Sequence, residues 1–219
     1  VADIAHKHRI PLMIDNTFGT PYLIRPIEHG ADIVVHSLSK WIGGHGTGIG
    51  GIVVDAGKFD WSDPKFALYN EPDRGYHGMR FAHDLGDEIP LAFSFRLRFV
   101  GLRNQGAALA PDAAWIFLQG VESLPLRMAK HSENALRVAE FLKKHPKVEW
   151  VRYPGLPDDP SWPIASKYMK NGFGGMVVFG VRGGSAEAMK LVDNIRLFSI
   201  LANVGDAKSL IIHPASTTH

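Results

Sequence analysis

Three short apolar runs, each closing on a polar residue, constrain this chain more than any other feature of its sequence. Ile10-Pro11-Leu12-Met13-Ile14 closes on Asp15, and Ala31-Asp32-Ile33-Val34-Val35-His36 closes on Ser37. Gly51-Ile52-Val53-Val54 closes on Asp55. Runs of this length, rich in β-branched residues and bounded by turn formers, read as strands buried on both faces. Between the first two lies Pro26-Ile27-Glu28-His29-Gly30, a short helical segment stopped by glycine. Strands alternating with helical connections predict an α/β layer with a parallel sheet.

Beyond these strands, Trp61 to Gly78 is polar and aromatic, with prolines at 64 and 72, and reads as a long excursion at the edge of a site. Helical periodicity returns over Gln105–Leu118. A long helix is expected from about Leu124 to Lys144, with Ser123 as N-cap and Lys143-Lys144 at its C-terminus. Val148–Tyr153, Gly175–Val181, Phe198–Val204 and Ser209–His213 read as strands, and Ser161–Asn171 and Ser185–Ile195 as helices. The expected organisation is therefore a first domain over 1–122 and a smaller α/β domain over 123–219. The opening residues read as the end of a helix already under way, and the last ones carry no cap. The chain is accordingly expected to be an internal portion of a longer protein.

Composition removes several classes of function. With 219 residues, 45% hydrophobic and 21% charged, the chain matches an ordinary globular protein. It has no cysteine, which excludes disulfides and thiolate metal sites. No apolar run reaches the ~18 residues of a membrane span, so no membrane partner is expected; the absence of disulfides fits the cytoplasm, the expected compartment. The net charge is only +2, and the densest basic cluster, Arg96, Arg98 and Arg103, alternates with Phe95, Phe99 and Leu102. That is the pattern of an amphipathic segment, so nucleic acid is set aside. The eleven histidines show no ligand spacing, and no metal is expected. Gly46-Thr47-Gly48-Ile49-Gly50-Gly51 spells G-x-G-x-x-G but runs into a strand rather than opening a helix, which is the wrong context for a dinucleotide. Those glycines suit a close approach of backbone to a neighbouring chain or a cofactor.

The chemistry is concentrated between Asp15 and Gly51. Ligands of parallel sheets bind beyond the carboxyl ends of strands. Asp15 ends one strand, and Ser37-Leu38-Ser39-Lys40 ends the next. A carboxylate, two hydroxyls and an amine on one rim suit an enzyme whose lysine forms a Schiff base with an aldehyde cofactor. The hydroxyls would hold the cofactor's phosphate, and the carboxylate would keep its ring nitrogen protonated. Taken singly, an aspartate at a strand end is more often a turn cap, and a lone Ser-x-Ser-Lys is a weaker signal still.

These residues also resemble a known family. Asp15-Asn16-Thr17-Phe18, Thr20-Pro21-Tyr22-Leu23, Gly30-Ala31-Asp32-Ile33-Val34-Val35-His36-Ser37 and Lys40 with Gly43-Gly44-His45-Gly46 are similar to the signature of the Cys/Met-metabolism enzymes dependent on pyridoxal 5'-phosphate (PLP). Gly205-Asp206-Ala207-Lys208-Ser209-Leu210 and His213-Pro214-Ala215-Ser216-Thr217-Thr218-His219 resemble a second motif of that family. The resemblance implies the fold-type I, aminotransferase-like fold, comprising part of the large PLP domain and most of a smaller C-terminal domain. It implies Lys40 as the Schiff-base and catalytic lysine, Asp15 as partner of the pyridine nitrogen, and Ser37 and Ser39 as phosphate ligands. Ser209 and Leu210 would lie against the substrate carboxylate. Ser39 stands where the family more often has threonine, and a hydroxyl is kept.

Residues 59–78, with Leu124-Pro125-Leu126-Arg127-Met128 and His131-Ser132-Glu133-Asn134-Ala135, are most similar to members that replace the acetate of O-acetylhomoserine with sulfide or methanethiol. The alternatives are members that make cystathionine, γ-lyases acting on methionine or cystathionine, and an inactive fragment or assembly module. The partners implied are an amino-acid substrate, a thiol and further copies of the chain in a dimer of dimers. The family's length, roughly twice that of this chain, implies that ring-stacking, phosphate-binding and carboxylate-clamping residues lie outside it.

Overall fold

The computed structural model describes residues 1–217 and resolves two compact units that interleave along the chain. One comprises Val1–Asp15, Pro26–His36 and Ile52–Pro111; the other comprises Asn16–Arg25, Ser37–Gly51 and Asp112–His219. Thr218 and His219, named in the second motif above, lie outside the described residues.

In the first unit the three expected strands form, as β1 (Met13–Asp15), β2 (Ile33–Ser37) and β3 (Gly51–Asp55) in the order β1-β2-β3. β1 and β2 are parallel, with Met13 opposite Ile33 and Asp15 opposite Val35. β2 is the buried strand, its Ile33 and Val34 almost without exposure. Asp32, just before it, accepts from Leu12 N at 2.7 Å and meets His6 Nε2 at 2.8 Å. That carboxylate ties the opening helix, Ala2–Lys7, to the sheet. β3 is an edge among the described strands, and its Ile52, Val53 and Val54 are 46%, 43% and 38% exposed.

The stretch expected to be a long excursion at the edge of a site contributes to the core of this unit. Trp61 is buried, stacked on Tyr69 (4.4 Å between centroids, 28°) and Phe93 (5.6 Å, 17°), with Phe66 edge-on at 5.3 Å. Phe81, Ala82, Ala92 and Ile33 complete the cluster. Asn70 Nδ2 lies 3.0 Å from the carbonyls of Trp61, Asp63 and Phe66 and closes the irregular backbone around the rings. Rings can fill a core from loops, because their area is large and their contacts are lateral.

The second unit is built on one helix, Pro111–Lys144, of 34 residues. It starts about thirteen residues before the expected Leu124 and contains Pro125 in its interior. Ser123 is therefore not a cap, and its hydroxyl donates to Gly120 O at 3.3 Å within the helix. Phe117, Gly120, Leu124, Met128, Ser132, Ala135 and Ala139 are buried, which is the spacing of a single helical stripe. Leu38, Trp41, Ile42, Leu23, Phe117, Leu124 and Met128 form one core cluster; Ala135, Ala139, Tyr153 and Leu156 form another. Tyr153 is fully buried, its hydroxyl 2.9 Å from Gly174 O and 3.2 Å from Ser132 O.

The expected later strands appear in shortened form. β4 (Val148–Arg152) pairs antiparallel with β5 (Val178–Val181), and β6 (Ser199–Ile200) pairs parallel with β7 (Leu210–Ile211). The helices at Trp162–Tyr168 and Ser185–Asn194 fall where they were expected.

Candidate active site

At the carboxyl end of β2 the chain enters one wide turn of π type over Leu38–Ile42, and this turn carries the lysine. Leu38, Trp41 and Ile42 face the core, leaving Ser39 and Lys40 half-buried. Lys40 breaks the turn, with φ −98° and ψ −126°, well outside helical values. The backbone on either side is fixed: Leu38 N donates to Gly50 O at 2.8 Å, and Gly44 N donates to Lys40 O at 2.8 Å. Ser37 N donates to Thr17 Oγ1 at 2.8 Å, and Gly50 N donates to Ser39 Oγ at 3.0 Å. The glycine-rich stretch after the strand thus returns beside Ser39 of the same chain.

Among the described residues the lysine side chain has one partner. Lys40 Nζ donates to Asn203 Oδ1 at 2.6 Å, and Lys40 makes no ion pair among the described residues. Asn203 arrives on the loop between β6 and β7. The same loop brings Gly205, at φ +78°, against the Lys40–Trp41 peptide. A Cβ on Gly205 would collide with Trp41 N and lie 2.8 Å from Lys40 C, so only glycine fits there. Ala207 N then donates to Gly44 O at 2.9 Å. An amine held by one amide carbonyl, with no ion pair among the described residues, can leave its partner and attack an electrophile.

Of the residues singled out in the sequence, Ser39 and Lys40 thus belong to one turn, and Ser37 ends the strand that leads into it. Asp15 closes β1 in the first unit. Ser209 and Leu210 lie just beyond the loop that carries Asn203: Ser209 O accepts from Ser199 N at 2.9 Å, and Leu210 pairs with Ser199. No hydrogen bond joins Ser209 to Lys40 among the described residues. Asn203 was missed. It stands two residues before the glycine of the second motif, and that proximity was its only signal.

Trp41 connects the turn to the long helix. His131 packs edge-on against it, 5.1 Å between centroids and at 84°. Burial pushes the His131 imidazole below its ordinary pKa, the nearby Arg127 charge pushes the same way, and Asp206 opposes them.

The residues on this turn fit PLP. A lysine amine held by an amide oxygen, a hydroxyl at Ser39 and glycine-lined backbone beside it are the group types that PLP needs. Comparison with known proteins decides the family. The model of the Cys/Met metabolism PLP-dependent enzymes matches residues 1–219. This chain belongs to that family. Within the Cys/Met metabolism family it is 55% identical, over 225 residues, to the O-acetyl-L-homoserine sulfhydrylase of Leptospira meyeri, and 52% identical, over 222 residues, to the homocysteine synthase of Schizosaccharomyces pombe. Each match covers 100% of this chain and 51% of the relative, so the chain spans about half the length of the curated relatives it matches. The crystal structure of a Campylobacter jejuni protein described as an O-acetylhomoserine (thiol)-lyase superposes with a TM-score of 0.92 at 41% identity, covering 100% of this chain and 52% of that one. That protein carries an N'-pyridoxyl-lysine-5'-monophosphate. The α/β fold of the PLP-dependent Cys/Met family expected from the sequence is the fold observed.

Proposed function

We propose that this chain is the lysine-bearing half of a PLP-dependent O-acetylhomoserine sulfhydrylase, converting O-acetyl-L-homoserine and sulfide or methanethiol to homocysteine or methionine and acetate. The observation that carries the reading is the Lys40 amine, presented on a broken turn to a single amide oxygen at 2.6 Å. The names of the relatives at 55% and 52% identity support the substrate class.

In this reading Lys40 holds the cofactor through its amine, and Ser37 and Ser39 hold the phosphate. Asp15 keeps the proton on the pyridine nitrogen. When bound, the cofactor supplies an electron sink for the carbon next to the substrate amine. The amine of Lys40, when free, would take the proton from Cα as a general base. Asn203 holds the amine of Lys40 in one direction until then, and Ser209 with Leu210 borders the substrate carboxylate. Residues 1–122 belong to the cofactor domain and 123–219 to the smaller one. The working enzyme is a cytoplasmic dimer of dimers. No helix among the described residues is long and apolar enough to cross a membrane.

Borohydride reduction followed by peptide mapping tests the proposal. A pyridoxyl group on Lys40 is the expected result, and Lys40→Ala should abolish turnover while the chain still folds. Label on another lysine, or wild-type turnover in Lys40→Ala, overturns it. Product analysis then separates the substrate readings. Homocysteine or methionine from the acetylated substrate supports the sulfhydrylase; cystathionine, or ammonia with a ketoacid, assigns a different member of the family.

A further inference from the structure

The long helix meets the Lys40 turn through one side chain that the proposed chemistry does not use. Arg127 Nη1 donates to Trp41 O at 2.7 Å, and Nη2 donates to Ile42 O at 3.0 Å and to Gly120 O at 2.7 Å. Its Nε donates to Ser123 Oγ at 3.0 Å. Trp41 and Ile42 are the last residues of the broken turn, where a single helical turn leaves carbonyls without partners. The backbone wraps the guanidinium closely. Gly44 follows at φ +77°, and a Cβ there would collide with Nη1. Gly120 brings the helix equally near, since its Cβ would collide with Ile42 O and lie 2.7 Å from Gly43 O.

Only arginine can serve this geometry. Four acceptors fanned around one group need the planar fork of five N–H donors, which a lysine ammonium lacks. The neighbouring contacts agree with a fixed, neutral surround. His131 sits one turn further along the helix against Trp41, and burial together with Arg127 favours its uncharged form.

We propose that Arg127 is a positioning residue: by satisfying the carbonyls of Trp41 and Ile42 it holds the turn open at Lys40, so that the amine is presented in a single direction. The non-helical ψ at Lys40 is the reason a clamp is needed. Before the break, Leu38 N and Ser39 Oγ are fixed on Gly50; after it, Arg127 fixes the next two carbonyls. If the later clamp is released, rotation about Lys40 can close the turn and swing its side chain.

The inference rests on Lys40 being the cofactor-bearing lysine. Its test uses the full-length holoenzyme with Arg127→Lys and Arg127→Ala, compared with wild type. Hydrogen exchange is followed at Gly43 and Gly44, kcat and KM for O-acetylhomoserine are measured, and the pH dependence of the visible absorption of the lysine-bound cofactor is recorded. Arg127→Ala should speed exchange at both amides and lower kcat by about tenfold or more, with KM nearly unchanged. The absorption titration should shift, and added methylguanidinium should restore part of kcat. If Arg127→Ala does not fold, Arg127→Lys is read in its place, with the same direction expected. Faster exchange with unchanged kcat and an unchanged absorption titration would mean a merely structural tie and overturns the inference. Unchanged exchange overturns it as well. If Lys40 takes no borohydride label even in wild type, the functional reading fails and this inference with it; a labelled wild type with wild-type kinetics in Arg127→Lys sinks the inference alone.

Discussion

The buried indole of Trp61 in the first unit and the turn around Lys40 in the second are both surrounded on several sides, but by different means. Trp61 sits among Phe66, Tyr69 and Phe93 and is held by area and ring contacts. Its Nε1 is buried without a hydrogen-bond partner among the described residues. Lys40 sits among hydrogen bonds from Arg127, Gly50, Gly44 and Ala207, with Gly205 pressed against its peptide. The first arrangement is non-directional and yields by degrees; the second depends on angles and on the absence of a single Cβ. A molecule can therefore lose stability in one place without losing its chemistry, and lose its chemistry in the other at a smaller cost in stability.

The largest effect should come from the aromatic side. Trp61→Ala is expected to cost about 3–5 kcal/mol in urea unfolding, the range for emptying a large aromatic site. Under conditions where the variant stays folded, borohydride should still label Lys40; loss of label there would break the contrast. Trp61→Phe should cost clearly less, because it also removes an unsatisfied donor. On the polar side, Gly205→Ala must adopt φ +78° with a Cβ against the Trp41 amide. It should cost about 2–4 kcal/mol and also lower labelling of Lys40 at full folding. A variant that labels like wild type would show that the loop does not help to set the lysine.

Tyr153→Phe should be milder, about 1–2 kcal/mol, since it takes the donor from the carbonyls of Gly174 and Ser132 and leaves the ring in place. Burial pushes the Tyr153 phenol up to about 12, so its contribution should stay constant across neutral pH. The smallest effect concerns His131. Its folded pKa is depressed, so the unfolded chain binds the extra proton first. The stability it contributes is then present above the ordinary histidine value and is lost as the pH falls toward the folded value. Chemical unfolding between about pH 7 and pH 5 should show this loss, and His131→Phe should flatten that part of the profile. An unaltered slope in the variant would assign the pH dependence to other groups.

What could be read from the sequence follows the same division. β2 is visible because a strand buried on both faces is a continuous apolar run. β1 and β3 are visible as apolar runs too, but the burial expected of them is not observed, since Met13 and Ile52, Val53 and Val54 are exposed. Lys40, Ser37 and Ser39 stand out because they follow such a run directly. The start of the long helix was misplaced because Ser123 and Pro125 together imitate a cap and a first helical turn. In the structure, Pro125 lies inside the helix, and Arg127 and Ser123 supply donors to Gly120 O. The core around Trp61 has no period of either kind, so its packing could not be inferred from spacing. Asn203 lies 163 positions from Lys40, and no local pattern joins the two. The strands expected at Phe198–Val204 and Ser209–His213 shrink to two residues each, because much of the intervening backbone is spent placing Asn203 and Gly205.

That β3 is an edge among the described strands has a practical consequence for anyone handling this chain. Gly51-Ile52-Val53-Val54 offers four residues without a charge before Asp55, whose carboxylate is already engaged by Ser94 Oγ at 3.0 Å. An apolar edge of this kind is a template for strand pairing between molecules. Purified by itself, the chain should show a concentration limit set by colloidal association, with light scattering rising before any change in circular dichroism. A lysine at position 53 should raise that limit and leave the Lys40 turn untouched.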